Sequence, residues 1–394
     1  MEVMMKELGE IITGNTPSKK TEEFWNSEDI CFVKPDIIAD NGVNEIVDSN
    51  EYISEDARKK ARVVGKNSIF VTCIGSIGKI GIASDGECAF NQQINAIIPN
   101  DRVQPKYLAY NLLFNKPRLV AIANAPVVPI INKSQFGEFT VNIETDIDRQ
   151  REIVDVLDKL TQIIQQRNKE ISALDDLIKA RFVELFGDPV HNPKDWTVKS
   201  LGELSIQINS GNTPKGGEQV YVEKGITFFR SQNVWKDRLE MDDIAYIDEE
   251  THASMSRSSL KHGDILMTKT GRINTENSSL GRAALYMGED DAANVNGHVY
   301  FIRLKPGVNN KFILRILVSD EYRDYIRSVC VGGIDKRQLN KNHIEDFPII
   351  CPPDDMVDEY ISLVEQVDKS KVAVQKALDE TQILFDSLMQ KYFG

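Results

Sequence analysis

The chain repeats itself. Leu8-Gly9-Glu10 returns as Leu201-Gly202-Glu203, and Gly14-Asn15-Thr16-Pro17 returns as Gly211-Asn212-Thr213-Pro214. Ile69-Phe70-Val71-Thr72 corresponds to Ile265-Leu266-Met267-Thr268, and Asn132-Lys133 with Phe139 to Asn340-Lys341 with Phe347. Each half closes on Phe-Gly, at Phe186-Gly187 and Phe393-Gly394. A period near 200 residues is far above the roughly 20–45 of a solenoid, so the plan is a duplicated domain followed by a duplicated tail. Between the matches the offset drifts from 193 to 208, which places insertions in loops of the second copy, such as Ile273 to Ser279.

Each tail carries a heptad stripe. Ile153, Leu157, Leu160, Ile164, Arg167, Ile171, Leu174, Ile178, Arg181 and Leu185 are spaced alternately four and three residues apart. Tyr360, Val364, Val367, Lys371, Val374, Leu378, Thr381, Phe385, Leu388 and Tyr392 repeat the register 207 residues on. Strict seven-residue spacing favours helix pairing, so one chain is expected to supply both strands of a coiled coil, with the apolar members of both stripes as its interface. The polar breaks fall at different levels in the two stripes, which helps to fix register. Two separate amphipathic helices, each packed on its own domain, are the alternative. The first stripe spans about 48 Å at about 1.5 Å per residue.

The two large segments are expected to be α+β domains built on strongly bent antiparallel sheets. Strands are predicted at Ile30 to Val33, Ser68 to Ile74, Ile94 to Ile98, Ile226 to Arg230, Asp264 to Thr268 and Val299 to Leu304, and helices at Lys106 to Leu113 and Lys311 to Ser328. The division is then a domain at 1–145, a helix at 146–190, a second domain at 191–352 and a second helix at 353–394. These segments carry net charges of −4, −3, −1 and −5, out of −13 overall. That total has the wrong sign for nucleic-acid binding by bulk electrostatics, so any DNA contact belongs to local basic loops of the two domains.

Several chemistries are excluded. The longest apolar runs, such as Val127 to Ile131, are far short of the roughly 18 residues that cross a bilayer, and Met1 to Gly9 lacks the basic and then apolar order of a secretory signal. A cytoplasmic protein with no membrane partner is expected. Five widely spaced cysteines without C-x-x-C read as reduced, buried thiols, and five histidines without i, i+4 pairing indicate no metal site. Gly75-Ser76-Ile77-Gly78-Lys79-Ile80 lacks the Ser or Thr and the earlier Gly of a P-loop, so strand-end turns are the better reading. Cys351-Pro352-Pro353-Asp354 reads as a rigid stop before the second helix.

The loops suit nucleic acid better. Asn15, Thr16, Ser18, Lys19 and Lys20, and their counterparts Asn212, Thr213 and Lys215, combine backbone donors, hydroxyls and ammonium groups fit for phosphate. Arg230, Gln232, Asn233, Lys269 and Arg272 are the side-chain types that pair with guanine and adenine edges. In the first copy Lys34, Ser76 and Lys79 stand at the corresponding places, a chemical contrast that would let the two domains read different bases. Asn91 and Gln92, and His298 in the second copy, are weaker candidates against a structural turn.

Taken together, the twin Leu-Gly-Glu and Gly-Asn-Thr-Pro openings, the twin Asn-Lys followed by Phe, the heptad helices, and Phe186-Gly187-Asp188-Pro189 leading to Asn192-Pro193 and Trp196 give a chain that resembles the DNA sequence-specificity (S) subunits of type I restriction-modification systems. The resemblance covers essentially the whole length. It implies two target-recognition domains separated by an antiparallel pair of conserved helices in a pseudo-two-fold tandem repeat, and no catalytic activity in this chain. It further implies double-stranded DNA as ligand and two methyltransferase (M) subunits that use S-adenosylmethionine to methylate adenine N6. It also implies restriction (R) subunits driven by ATP with Mg, so those cofactors are expected on partners and none here. The first domain lacks the Pro-x-x-Trp lead-in of the second, so its edge is expected to be trimmed. Two other readings compete. One is the specificity part of a split or fused restriction-methylation enzyme, disfavoured by a second helix that runs to Phe393-Gly394. The other is a non-catalytic protein scaffold, favoured by the acidic charge and disfavoured by the Arg, Lys, Asn and Gln loops.

Overall fold

A computed structural model describes residues 1–123, 128–272, 275, 277–333 and 336–394. Val127 of the apolar run and Ile273, Asn274 and Glu276 of the second-copy insertion lie outside the described residues. The chain divides into two compact units, Met1–Ile171 with Ala373–Gly394, and Ser172–Val372.

The first unit holds two main sheets. The larger orders its strands Gly9–Thr13, Ile94–Pro99, Ile69–Thr72, Ile80–Ala83 and Val43–Ile46; the smaller orders them Tyr52–Ile53, Ile30–Val33, Cys88–Phe90 and Val63–Val64. Ile69-Phe70-Val71-Thr72 is buried throughout because the larger sheet is covered on both faces. Ile69 and Val71 face a core shared with the helix Pro105–Phe114 and with Leu157, while Phe70 packs with Val33 and Phe90 between the sheets. Such a strand needs a continuous apolar run rather than alternation. A short antiparallel pair, Glu2–Met4 with Thr140–Asn142, closes the domain.

The second unit repeats this plan. Its larger sheet runs Ser205–Ser210, Val299–Leu304, Ile265–Thr268 and Ala283–Leu285, and its smaller one Tyr221–Val222, Ala245–Ile247, Ile226–Phe229 and Ala293–Val295. The closing pair is Thr197–Ser200 with Pro348–Cys351. The expected α+β architecture is present, with two corrections. Each domain has two main sheets where one bent sheet was expected, and the sheets are not wholly antiparallel: Ile30–Val33 runs parallel to Cys88–Phe90, Val43–Ile46 to Ile80–Ala83, and Ile226–Phe229 to Ala293–Val295. The helix expected over Lys311 to Ser328 is two helices, Asn310–Val318 and Asp320–Val329. Ser319 sits between them with extended backbone, and its hydroxyl accepts a bond from the Tyr322 N–H at 3.2 Å.

Both tails are 40-residue helices, Ile147–Phe186 and Asp354–Phe393, each about 60 Å long. In the first unit the N-terminal part of the first helix lies with the C-terminal part of the second: Ile153, Val154 and Leu157 share a core with Met389 and Phe393. In the second unit the ends are reversed, Ile178, Phe182 and Phe186 packing with Val357, Tyr360, Val364 and Val367. Both pairings are antiparallel. The twin Phe-Gly endings have one physical cause. Phe186 lies against Phe312 at 5.0 Å between ring centroids, and Phe393 against Tyr107 at 5.1 Å, so each plugs the base of a domain. After Phe186 the chain reverses through Gly187 at φ +78, and the Trp196 indole N–H donates to the Phe186 carbonyl at 3.0 Å.

Candidate nucleic-acid interface

Strand direction gathers the candidate loops at one end of each domain. In the larger sheet of the first unit Thr13 lies opposite Asn95, Asn95 opposite Val71, and Val71 opposite Ile80. Antiparallel neighbours leave from alternating ends, so the chain after Thr13, before Ile94 and between Thr72 and Ile80 emerges at a single edge. The parallel pair in the smaller sheet serves the same end, because Val33 lies opposite Phe90 and both strands deliver their next residues, Lys34 and Asn91, to that edge. In the second unit the series Ser210, Tyr300, Met267, Ala283 and the parallel pair Phe229 with Val295 do the same for the segments at 211–214, 296–298, 269–272, 277–282 and 230–233.

The Gly-Asn-Thr-Pro echo is a docking device. A Cβ on Gly14 would lie 2.2 Å from the Asn91 carbonyl oxygen, and one on Gly211 would lie 1.9 Å from that of Val295. Only glycine lets this strand end meet the neighbouring turn. The next residue then bonds across: the Asn15 N–H donates to the Phe90 carbonyl at 3.0 Å and the Asn212 N–H to the Val295 carbonyl at 3.2 Å. In the first unit Thr16 Oγ1 donates to Gln92 Oε1 at 2.8 Å. Two of the candidate loops are therefore joined in each copy.

Exposure sorts the candidates. Thr16, Ser18, Lys20, Ser76 and Gln92 in the first unit, and Asn212, Thr213, Lys215, Arg272 and His298 in the second, are exposed at these edges. Lys269 is half-buried, with its ammonium 5.8 Å from the Tyr300 ring centroid, and Asn15 is half-buried with its amide donating to the Lys60 carbonyl at 2.6 Å.

Other candidates are already committed to protein partners. Lys19 pairs with Glu51 at 2.6 Å and lies 3.6 Å over the Trp25 ring, and Lys34 holds the other oxygen of the same carboxylate. The two ammonium groups keep the Glu51 carboxyl below its ordinary range. Lys79 pairs with Asp40 at 2.8 Å. In the second unit Gln232 Nε2 donates to Asp243 Oδ2 at 2.9 Å, and Arg230 reaches the other oxygen at 3.1 Å, which lowers the Asp243 carboxyl. A phosphate would reach these side chains only by displacing a carboxylate.

Asn91 and Asn233 need correcting. Asn233 is 1% exposed, its amide donating to the carbonyls of Glu240 and Asp243 and its oxygen accepting from the Arg230 N–H at 2.9 Å. Asn91 is buried and closes a turn by accepting from the Gln93 N–H at 3.1 Å, as Asn296 does from His298 at 3.0 Å. Both hold loops in shape and present no amide to a base.

On the long helices every stripe position is buried or half-buried. Leu157, Leu160, Ile178, Val364 and Val367 are buried; Ile164, Ile171, Leu174, Leu185, Val374, Leu378, Phe385, Leu388 and Tyr392 are half-buried. Three of the four polar breaks have partners, Arg181 reaching Glu359 at 2.7 Å, Lys371 reaching Asp175, and Thr381 Oγ1 donating to the Ala377 carbonyl at 2.7 Å, whereas Arg167 Nε is enclosed with no hydrogen-bond partner among the described residues. Sequence reasoning did not find the counter-ions Glu51 and Asp243, nor Arg282, whose guanidinium stacks 3.8 Å over Trp235. No local signal marks them, because Glu51 stands 32 and 17 residues from its two lysines. Among the described residues no group of three or more His, Cys, Asp or Glu is placed to hold a metal, and no helix is long and apolar enough to cross a membrane.

Comparison with known proteins agrees with this plan. The family described as type I restriction modification DNA specificity domain matches residues 1–173 and 193–382. The chain is 26% identical over 414 residues to the type I restriction enzyme MjaIX specificity subunit of Methanocaldococcus jannaschii, covering 98% of this chain and 91% of the relative. It is 30% identical over 170 residues to the type I restriction enzyme EcoR124I/EcoR124II specificity subunit of Escherichia coli, covering 40% of this chain and 41% of the relative. The crystal structure of the S subunit of a type I restriction-modification system from M. genitalium aligns with a TM-score of 0.59 at 15% identity, covering 100% of this chain and 96% of that one. A chain from work on complex assembly and conformational transition of the type I R-M system gives 0.56 at 16% identity, with 100% and 97% covered. At such identities these structures speak for the fold.

Proposed function

The chain belongs to the family of type I restriction modification DNA specificity domains, and from that premise we propose that it reads a two-part DNA target, one half-site per domain, across an unread spacer. It is a DNA-recognition component and not a catalytic one. The observation that carries the two-part reading is the duplicated edge: in both copies the same order of four strands in the larger sheet, with a matching parallel pair in the smaller sheet, brings several polar loops to one end of a domain. The exposed side chains there differ between copies, Ser76 and Gln92 in one and Arg272 and His298 in the other, as two different half-sites require.

On this reading residues 1–145 and 191–352 are the recognition segments, and the helices of 146–190 and 353–394 set the spacer. Two unbroken helices of about 60 Å support that role. The methyltransferase subunits, with S-adenosylmethionine, and the restriction subunits, with ATP and Mg, are partners recruited in the cytoplasm. Much of the phosphate-binding charge then comes from those partners, which suits a chain of net charge −13.

Single-molecule methylation sequencing of host DNA with the gene intact and deleted tests partner, reaction and target together. Deletion should remove one bipartite methyladenine motif. An unchanged methylome with the cognate methyltransferase active would overturn the reading. Inserting one heptad after Arg167 and after Val374 should lengthen the preferred spacer, and an unchanged spacer would remove the helices from that role.

A further inference from the structure

We propose that a cavity of about 360 Å³ beside Trp235 holds one phosphate of the DNA backbone next to the half-site read by the second unit, gripped by Arg323 and Arg327 with Arg282 fixed behind them. The proposal rests on the DNA-reading role and adds to it a contact that positions the duplex.

The cavity carries a net positive charge in an acidic chain. Lys236, Arg282, Arg323 and Arg327 line it, against Asp320 and Asp324. Both carboxylates are engaged: Asp320 holds Lys236 at 2.7 Å, and Asp324 holds Arg327 at 2.6 Å. Arg323 is left without a carboxylate among the described residues, and its Nη1 is enclosed with no hydrogen-bond partner there. Burial, then the neighbouring guanidiniums of Arg327 and Arg282, pushes its pKa below the ordinary arginine range. An anion would relieve that repulsion.

Arg282 is 8% exposed and locked in place, with Nε donating to the Ser278 carbonyl at 3.0 Å and the guanidinium stacked on Trp235. Its counterpart in the first copy is Lys79. The Lys79 N–H donates to Thr72 Oγ1 at 3.0 Å, as the Arg282 N–H does to Thr268 Oγ1 at 2.9 Å. Lys79 has Asp40 beside it, whereas Arg282 has no carboxylate partner among the described residues. Among the described residues the second copy thus lacks the counter-ion that the first copy places here.

Two features name the ligand. Guanidinium forks match the oxygens of a phosphate diester, and the cavity adjoins the reading edge: Arg282 directly precedes the edge strand Ala283–Leu285, and the Trp235 indole N–H donates to the Gln232 carbonyl at 3.0 Å. A phosphate here would set the register of the duplex without reading a base.

The test measures the salt dependence of DNA binding by the assembled complex carrying Arg323→Gln or Arg327→Gln, on target and non-target duplexes. Loss of one phosphate contact should reduce the slope of log K against log salt by about 0.9 and weaken both duplexes by a similar factor, with the methylated motif unchanged. Arg327, with a third of its side chain exposed, is the variant least able to disturb folding. An unaltered slope in both variants at wild-type melting temperature overturns the proposal. Absence of salt-dependent binding by the unmodified complex would instead sink the DNA-reading role itself. Inorganic phosphate is then titrated against the full chain. Saturable stabilisation that Arg323→Gln abolishes, with the DNA slope unmoved, would assign the cavity to free phosphate and overturn the DNA assignment.

Discussion

A methyl group at Gly211 would stand 1.9 Å from the Val295 carbonyl oxygen, closer than any carbon can approach. Gly211→Ala should therefore cost about 1–3 kcal/mol, measured from the urea midpoint at constant m-value. Gly65→Ala, with nothing within 4 Å of the added carbon, should stay within about 0.5 kcal/mol. Glu51 gives a pH-dependent case. Its folded pKa is depressed by Lys19 and Lys34, so its contribution is present above the unfolded carboxylate pKa and lost as pH falls through the folded one. Glu51→Gln should lose less than about 1 kcal/mol at neutral pH, and the difference from wild type should vanish in acid, as stability curves over pH would record. At this scale the sequence was only half legible. Gly14-Asn15-Thr16-Pro17 announced itself by recurring, although what recurs is a backbone fit. Whether Lys20 is exposed or Lys34 is held by Glu51 depends on pairings across the fold that no local pattern carries.

Elements were read more reliably where the period was long. The stripe from Ile153 to Leu185 alternates four and three because the helix meets another helix, and each member is buried or half-buried. Leu157→Ala should lose about 2–5 kcal/mol, whereas Ile163→Ala, on the exposed side of the same helix, should lose little, both by chemical denaturation. Short strands were found from their apolar runs, but the parallel pairing of Ile226–Phe229 with Ala293–Val295 lies between segments about 65 residues apart, and periodicity says nothing about partners. The helix break at Ser319 was missed because Lys311 to Ser328 is helical in composition throughout. The serine's own cap is the signal, and Ser319→Ala should cost about 1 kcal/mol.

For the whole molecule, net charge and duplication pull in opposite directions. A total of −13 repels a polyanion, while each domain gathers its polar loops at one edge. The isolated chain should bind target DNA more weakly than micromolar at about 150 mM salt, and nanomolar specific binding in a fluorescence titration would show that it needs no charge from partners. The two units also differ in continuity. The second is one stretch, Ser172–Val372, while the first is completed by Ala373–Gly394, which brings Met389 and Phe393 into its core. A ribosome therefore releases the whole second unit before the first can close. At about 5–20 residues per second, the 201-residue insertion imposes a wait of roughly 10–40 seconds, during which the apolar faces of Leu157 and Tyr107 have no Phe393 to cover them. The half that begins first finishes last, so its apolar core stays open longest during synthesis.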